Sequence, residues 1–214
     1  MEQKHVLVVG ATGLVGSQVV QALVEDPLVE TVHCLVRSHQ RHESQKVNHH
    51  WVDFMNLDAH EALFDGITNV ICCIGTTMKK AKSREQFQLV DHYIPKEVAR
   101  VAKLKGIGSF ALVSSLGANA SSRSFYLRVK GAIEDHLMAM TFDSLVVYRP
   151  SLLIGDRKEF RMGEVAMTIV FRLFSWVVPP RYAPTCSFQL AQQMVHNVHH
   201  PVGGVRIIES PMVG

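Results

Sequence analysis

The chain has 214 residues, 47% of them hydrophobic and 19% charged, with a net charge of +3. That composition excludes disorder and suits one globular domain, able to bury roughly 70% of its unfolded surface without a disulfide or metal staple. The charge is too small and too scattered for a nucleic-acid binder, so no nucleic-acid partner is expected.

Apolar runs and segments of helical period alternate along the chain. His5–Val9 is a short apolar strand, and Leu14–Glu25 has helical spacing that stops before Pro27. Thr31–Val36 reads as a second strand and Lys46–Val52 as a third, with a polar loop between them. Leu57–Phe64 is a short helix closed by Gly66, and Asn69–Ile74 a fully apolar fourth strand. Arg84–Lys105 is a long helix, Phe110–Ser114 a fifth strand, Ser124–Met140 a helix and Ser144–Tyr148 a sixth strand. Gly163–Val178 and Ser187–Val198 read as helices, and Gly204–Ile208 as a last strand. Continuous apolar strands separated by helices imply parallel strands buried on both faces. The expected fold is therefore α/β, a doubly wound parallel sheet of Rossmann type. It spans residues 1–214 as one domain, with about 150–200 forming a small substrate-side lobe, because strict alternation is lost after Pro150.

The four cysteines show no CxxC spacing and read as reduced thiols of a cytoplasmic protein. The N-terminus runs straight into a strand and a glycine loop, unlike a signal peptide. No apolar span reaches about 18 residues, so no transmembrane helix is expected. Val165–Val178 carries an apolar stripe, Met167, Val170, Phe171, Phe174 and Val178, and is interrupted by Arg172. Packing against the core or lobe is the expected role of that stripe, ahead of a subunit or partner surface and of membrane-surface contact. His196, His199 and His200 have helical spacing but no cysteine or acid beside them. They read as helix-terminal histidines, and no metal is expected.

Gly10-x-x-Gly13-x-x-Gly16 lies between the first strand and the first helix. In that context the first glycine makes the turn, the second admits a pyrophosphate and the third lets helix and sheet pack closely. The helix start, with Thr12, Leu14 and Val15, offers N–H groups to phosphate. A dinucleotide is the expected cofactor. NAD(H) binders usually place an acid about 20 residues on to hold the ribose 2′-hydroxyl. Here the second strand leads into Arg37 and Ser38, which suit a 2′-phosphate, so NADP(H) is expected in preference to NAD(H).

Tyr126 and Lys130 stand four residues apart on one helix face, and Ser114-Ser115 closes the fifth strand. The glycine loop, the Ser-Ser pair, Tyr126-Leu127-Arg128-Val129-Lys130 and Arg149-Pro150 together resemble the short-chain dehydrogenase/reductase superfamily. Within it, the chain is similar to the atypical branch around the Tat-interactive oxidoreductase family. Asp91 to Ala102 and Tyr148 to Gly155 share the likeness. The resemblance implies hydride transfer between a nicotinamide and a small carbonyl or alcohol substrate. Tyr126 would be the acid/base and Ser115 its partner at the substrate oxygen, with Ser114 the alternative. Lys130 would hold the nicotinamide ribose and favour the phenolate. It further implies cofactor contacts from Asp53, Phe54, Ile74, Gly75, Thr76, Arg149 and Pro150. The fourth strand lacks the Asn-Asn-Ala-Gly motif common in this superfamily, so the usual Asn of a lysine–water relay is missing there. A redox sensor that binds NADP(H) with little turnover, or an isomerase returning the hydride to its substrate, is the alternative function. The expected assembly is a monomer or homodimer.

Overall fold

A computed structural model describes residues 3–37, 44–155 and 182–210. The expected helix Gly163–Val178, most of the expected lobe, and Ser38 lie outside the described residues. The strands are β1 (Lys4–Val9), β2 (Val29–Val36), β3 (Val47–Trp51), β4 (Asn69–Cys72), β5 (Ser109–Val113), β6 (Ser144–Arg149), β7 (Leu153–Ile154), β8 (Thr185–Cys186) and β9 (Gly204–Glu209). The α-helices are α1 (Leu14–Glu25), α2 (Met78–Ala81), α3 (Arg84–Gln88), α4 (Ile94–Leu104), α5 (Phe125–Ala139) and α6 (Ser187–His199). Seven of the described strands form one parallel sheet in the order β3-β2-β1-β4-β5-β6-β9, and β7 pairs with β8 beside it.

Both faces of the inner strands are covered, which is why those strands lack an apolar–polar alternation. Val6 and Val8 point into a layer shared with Val19 and Leu23 of α1 and with Leu190 and Met194 of α6. Leu7 and Val9 point the other way, toward Val98 and Ala102 of α4 and Ile133 and Leu137 of α5. α6 packs on α1, and His199 of α6 reaches Asp26 just past the end of α1 at 2.7 Å. Among the described residues no group of three or more metal-binding side chains gathers, and no helix is long and apolar enough to cross a membrane.

Two expected elements differ in detail. Leu57–Phe64 is a 3-10 helix, with Leu57 and Phe64 buried and Leu63 packed partly against the core. The long helix from Arg84 is interrupted by a π-helical turn, Leu89–Tyr93, before it continues as α4. That turn matters for the site below.

Strand order reverses between β1 and β4, so a crevice opens past their carboxyl ends. Gly10 leaves β1 there with φ +85°, and a Cβ on it would sit 2.7 Å from the Ile74 nitrogen. A Cβ on Gly16 would lie 2.1 Å from the Gly10 carbonyl oxygen. Only glycine lets α1 approach the sheet so closely.

A chain of polar side chains crosses β1, β2 and β3. His5 Nδ1 lies 2.6 Å from Thr31 Oγ1, Thr31 Oγ1 lies 3.2 Å from His33 Nε2, and His33 Nδ1 lies 3.0 Å from His50 Nε2. The rings of His33 and His50 stack at 5.1 Å. One of the two facing nitrogens must be bare, so the pair cannot hold both its extra protons. Burial, then the neighbouring histidines, push both groups below the ordinary histidine range. His92 is lowered too, by burial, His136 and Lys96. A histidine lowered in the fold takes up protons more readily when unfolded. Its contribution is complete above about pH 6.5 and is lost as pH falls below that value toward the folded pKa. Urea midpoints are therefore expected to be lower at pH 5.5 than at pH 7.5. His33→Phe, which keeps the stack without titrating, should flatten the difference; an unchanged acid loss in that variant would contradict the assignment.

Candidate functional site

The parallel strands bring the expected site residues to one edge of the sheet. Gly10 follows β1, Arg37 follows β2, Ile74 to Thr76 follow β4, Ser114 and Ser115 follow β5, and Pro150 follows β6. Gly13 caps α1 with no side-chain hydrogen bond, and the first turn holds no acid. Thr12 and Gly13 are exposed, Leu14 is half-buried, and Val15 and Gly16 are buried against the sheet. The first-turn N–H groups have no carbonyl partner within the helix. This bare, positively polarised helix end beside a close glycine turn fits a dinucleotide phosphate.

Arg37 is exposed, and among the described residues its guanidinium has no acidic partner. Its backbone carbonyl accepts from Trp51 Nε1 at 3.0 Å, which ties the ends of β2 and β3 together. Asp53 is exposed and its Oδ1 accepts from the Met55 N–H at 2.9 Å. Phe54 is only 6% exposed, packed with Leu57 and Phe64 in the core, so its ring is withdrawn from the crevice.

The centre of the site is on α5. Tyr126 is half-buried, with its ring 5.6 Å from that of Phe87. One turn on, Lys130 Nζ lies 2.8 Å from Asp91 Oδ1, and both side chains are almost fully buried. Asp91 sits in the π-helical turn, and its Oδ2 accepts from the Thr76 N–H at 2.8 Å. Burial works against the Lys130 charge. The Asp91 carboxylate, by its charge and its hydrogen bond, more than offsets that and raises its pKa above the ordinary lysine value. A Cβ on Gly75 would lie 3.3 Å from Asp91 Oδ1 and 3.6 Å from Lys130 Nζ, so the chain leaving β4 passes directly over the pair. The Asp91 partner was not read from the sequence, because a regular helix gives no sign of where a π turn re-aims a side chain.

Another turn along α5, Glu134 forms a second buried cluster. It accepts from the Ser114 hydroxyl and from Arg149, whose Nη2 lies 2.6 Å from Glu134 Oε2. Arg149 also reaches Glu209 of β9 at 2.8 Å. The Arg149 guanidinium is thus engaged by two carboxylates, contrary to its expected place against a cofactor. Pro150 is buried and its carbonyl accepts from the Leu116 N–H at 2.8 Å. The Ser114 hydroxyl is committed to Glu134, whereas among the described residues that of the half-buried Ser115 has only a 3.5 Å contact to the Leu116 carbonyl. Cys72 lies near Lys130, but burial pushes its thiol up to about 12, so it stays protonated.

Residues 10–169 match the model of a family described as NAD(P)H-binding. Protein HTATIP2 of Rattus norvegicus is 36% identical over 167 residues, covering 77% of this chain and 69% of its own length. Protein FMP52, mitochondrial, of Debaryomyces hansenii is 35% identical over 158 residues, 71% of this chain and 68% of its own. The Bordetella bronchiseptica enzyme WbmH, solved in complex with NAD+, has the same fold with a TM-score of 0.75 at 16% identity, over 99% of this chain and 77% of its own. The UDP-N-acetylglucosamine 4-epimerase from Bacillus cereus gives 0.72 at 15%, over 98% and 79%. At those identities the likeness is one of fold. The mitochondrial names of the fungal relatives overturn the cytoplasmic expectation. Reduced thiols distinguish an oxidising compartment from a reducing one, not one reducing compartment from another.

Removing one member of a buried ion pair strands the other charge, at about 3–5 kcal/mol. Asp91→Ala should cost that much in urea denaturation, and adding Lys130→Met should restore more than half of it. Equal instability of the single and double variants would contradict an ion pair at this position.

Proposed function

The chain belongs to the NAD(P)H-binding family, and from that premise we propose that it is a short-chain-type oxidoreductase using NADP(H), with Tyr126 as acid/base toward a carbonyl or alcohol. The observation that carries this reading is the buried Lys130–Asp91 pair one helical turn from Tyr126, at the carboxyl edge of the sheet. A Tyr–Lys pair on a surface helix would need no carboxylate to hold the lysine charged in the protein interior. Here the fold accepts the desolvation of two charges to keep an ammonium near a phenol.

The glycine loop with Thr12, Leu14 and Val15 would hold the pyrophosphate, and Arg37 with Ser38 the 2′-phosphate. Asp53 and the backbone at Phe54 would flank the adenine end, and Ile74, Gly75 and Thr76 would line the nicotinamide end, where Lys130 holds the ribose. When bound, the reduced cofactor supplies the hydride. Tyr126 gives its hydroxyl proton to the carbonyl oxygen as the carbon receives that hydride and the C=O π pair moves onto oxygen. Ser115, with its hydroxyl uncommitted to Glu134, orients the same oxygen. Lys130 stabilises the phenolate that remains. Asp91 acts through Lys130 as a positioning residue. It faces the ammonium from the π turn, and the chain leaving β4, Cys73 to Thr77, carries no asparagine. The names of the fungal relatives support a mitochondrial setting for this chemistry.

Tyr126→Phe keeps the ring and removes the proton. It should lower kcat in NADPH-dependent reduction of an aldehyde and ketone panel by about 10²–10⁴-fold while leaving NADPH affinity within about twofold. Tight NADPH binding with no turnover anywhere in the panel would leave a cofactor-binding sensor instead. Arg37→Ala should weaken NADPH by about 10- to 100-fold, the worth of a charge-assisted hydrogen bond, and NADH far less. Equal losses for both cofactors would overturn the 2′-phosphate assignment.

A further inference from the structure

Beside Tyr126 the protein places two cations on one aromatic ring. The guanidinium carbon of Arg84 lies 5.2 Å from the centroid of Phe125, and that of Arg128 lies 5.9 Å from it. Phe125 is the first residue of α5, next to Tyr126 in the chain, and the buried Phe87 ring touches both, at 5.7 and 5.6 Å. Arg128 donates through Nη1 to the carbonyls of Ser122 and Arg123, at 2.8 and 3.4 Å, which fixes the head group without neutralising it. Among the described residues neither guanidinium meets a carboxylate within ion-pair distance. Arg100 and Arg149, by contrast, each pair with two acids. The nearest acid in the chain, Glu85, is turned onto its own backbone and the Ser83 hydroxyl, which lower its pKa ahead of Arg84. Lys79, Lys82 and Arg123 are exposed on the same short stretches of chain.

We propose that Arg84 and Arg128 bind an anionic group, a carboxylate or a phosphate, on the substrate whose carbonyl is presented to Tyr126. Each guanidinium carries a charge that no acid among the described residues offsets, and an anion would meet it with charge-assisted hydrogen bonds. The arginines retain free N–H groups for it, and Phe125 fixes their heads by cation–π contact. The substrate class is then a small oxo-acid or oxo-phosphate, not a neutral aldehyde or ketone. Surrounding lysines would steer it toward the site in a salt-dependent way. This assignment rests on the oxidoreductase reading of Tyr126.

The test uses the full chain and three aldehydes of one shape, benzaldehyde, 4-carboxybenzaldehyde and 4-formylphenyl phosphate, with NADPH oxidation as one readout. Calorimetric binding of benzoate and phenyl phosphate to the NADP+-loaded protein is the other, and it needs no turnover. The anionic aldehydes should exceed benzaldehyde in kcat/KM by about tenfold or more, through KM, with the gap closing as salt rises. In the Arg84→Gln/Arg128→Gln variant, checked for fold by circular dichroism, that ratio should fall to about one and both anions should lose their binding. Whichever anion wins identifies the head group. Equal kcat/KM for all three aldehydes in the wild type, or a preference that survives in the variant, would overturn the proposal. Failure to reduce any aldehyde would count against the oxidoreductase reading alone; anion binding lost in the variant would still support the arginine site, and no anion binding to the wild type would overturn it.

Discussion

The middle of α5 and the chain leaving β4 are held together by one buried ion pair, Lys130 of α5 with Asp91 of the π turn. Each partner would be costly to bury alone. Together they fix the distance between two helices, and through the Thr76 N–H they fix the chain that leaves β4. Lys130 therefore cannot drift with its flexible stem, as a surface lysine would. The pair sets where a positive charge stands relative to Tyr126, and the proposed chemistry depends on that placement.

The same helix carries a second constraint one turn further on. Tyr126, Lys130 and Glu134 recur every four residues and so share a face of α5. Lys130 is held by the π turn, and Glu134 by Ser114 and Arg149. Arg149 carries the connection to Glu209 at the edge strand β9. Three strand ends are thereby tied to one helix face by charge, beyond the apolar layer below. The arrangement also separates the two serines after β5. The Ser114 hydroxyl is bonded to Glu134, and that of Ser115 is not.

The fold was legible in the sequence because its signals are local. Continuous apolar strands, helical spacing and a glycine turn each act over a few residues, and their alternation implies the parallel sheet. The glycine loop and the Tyr126–Lys130 spacing were legible for the same reason. What depended on distant partners was not. Arg149 reads as a site residue from its place after a strand, yet its fate is decided by Glu134 and Glu209, 15 and 60 residues away. Asp91 lies in a segment of plain helical period, and the π turn that aims it at Lys130 leaves no periodic mark. Phe54 follows the strand end where adenine contacts are expected, but the core takes its ring. Arg84 and Phe125 meet only in the fold, 41 positions apart by their numbering. The compartment was misread because composition reports redox conditions and not address.

The central claim is that the Tyr126–Lys130–Asp91 site carries hydride between a nicotinamide and a carbonyl carbon. The most direct measurement supplies the protein with NADPH carrying deuterium at both C4 positions and a panel of aldehydes, and then examines the recovered alcohols by mass spectrometry. The account predicts deuterium on the carbinol carbon of at least one product. Alcohol free of deuterium, or bound NADPH that keeps its label through prolonged incubation with every aldehyde, would contradict it.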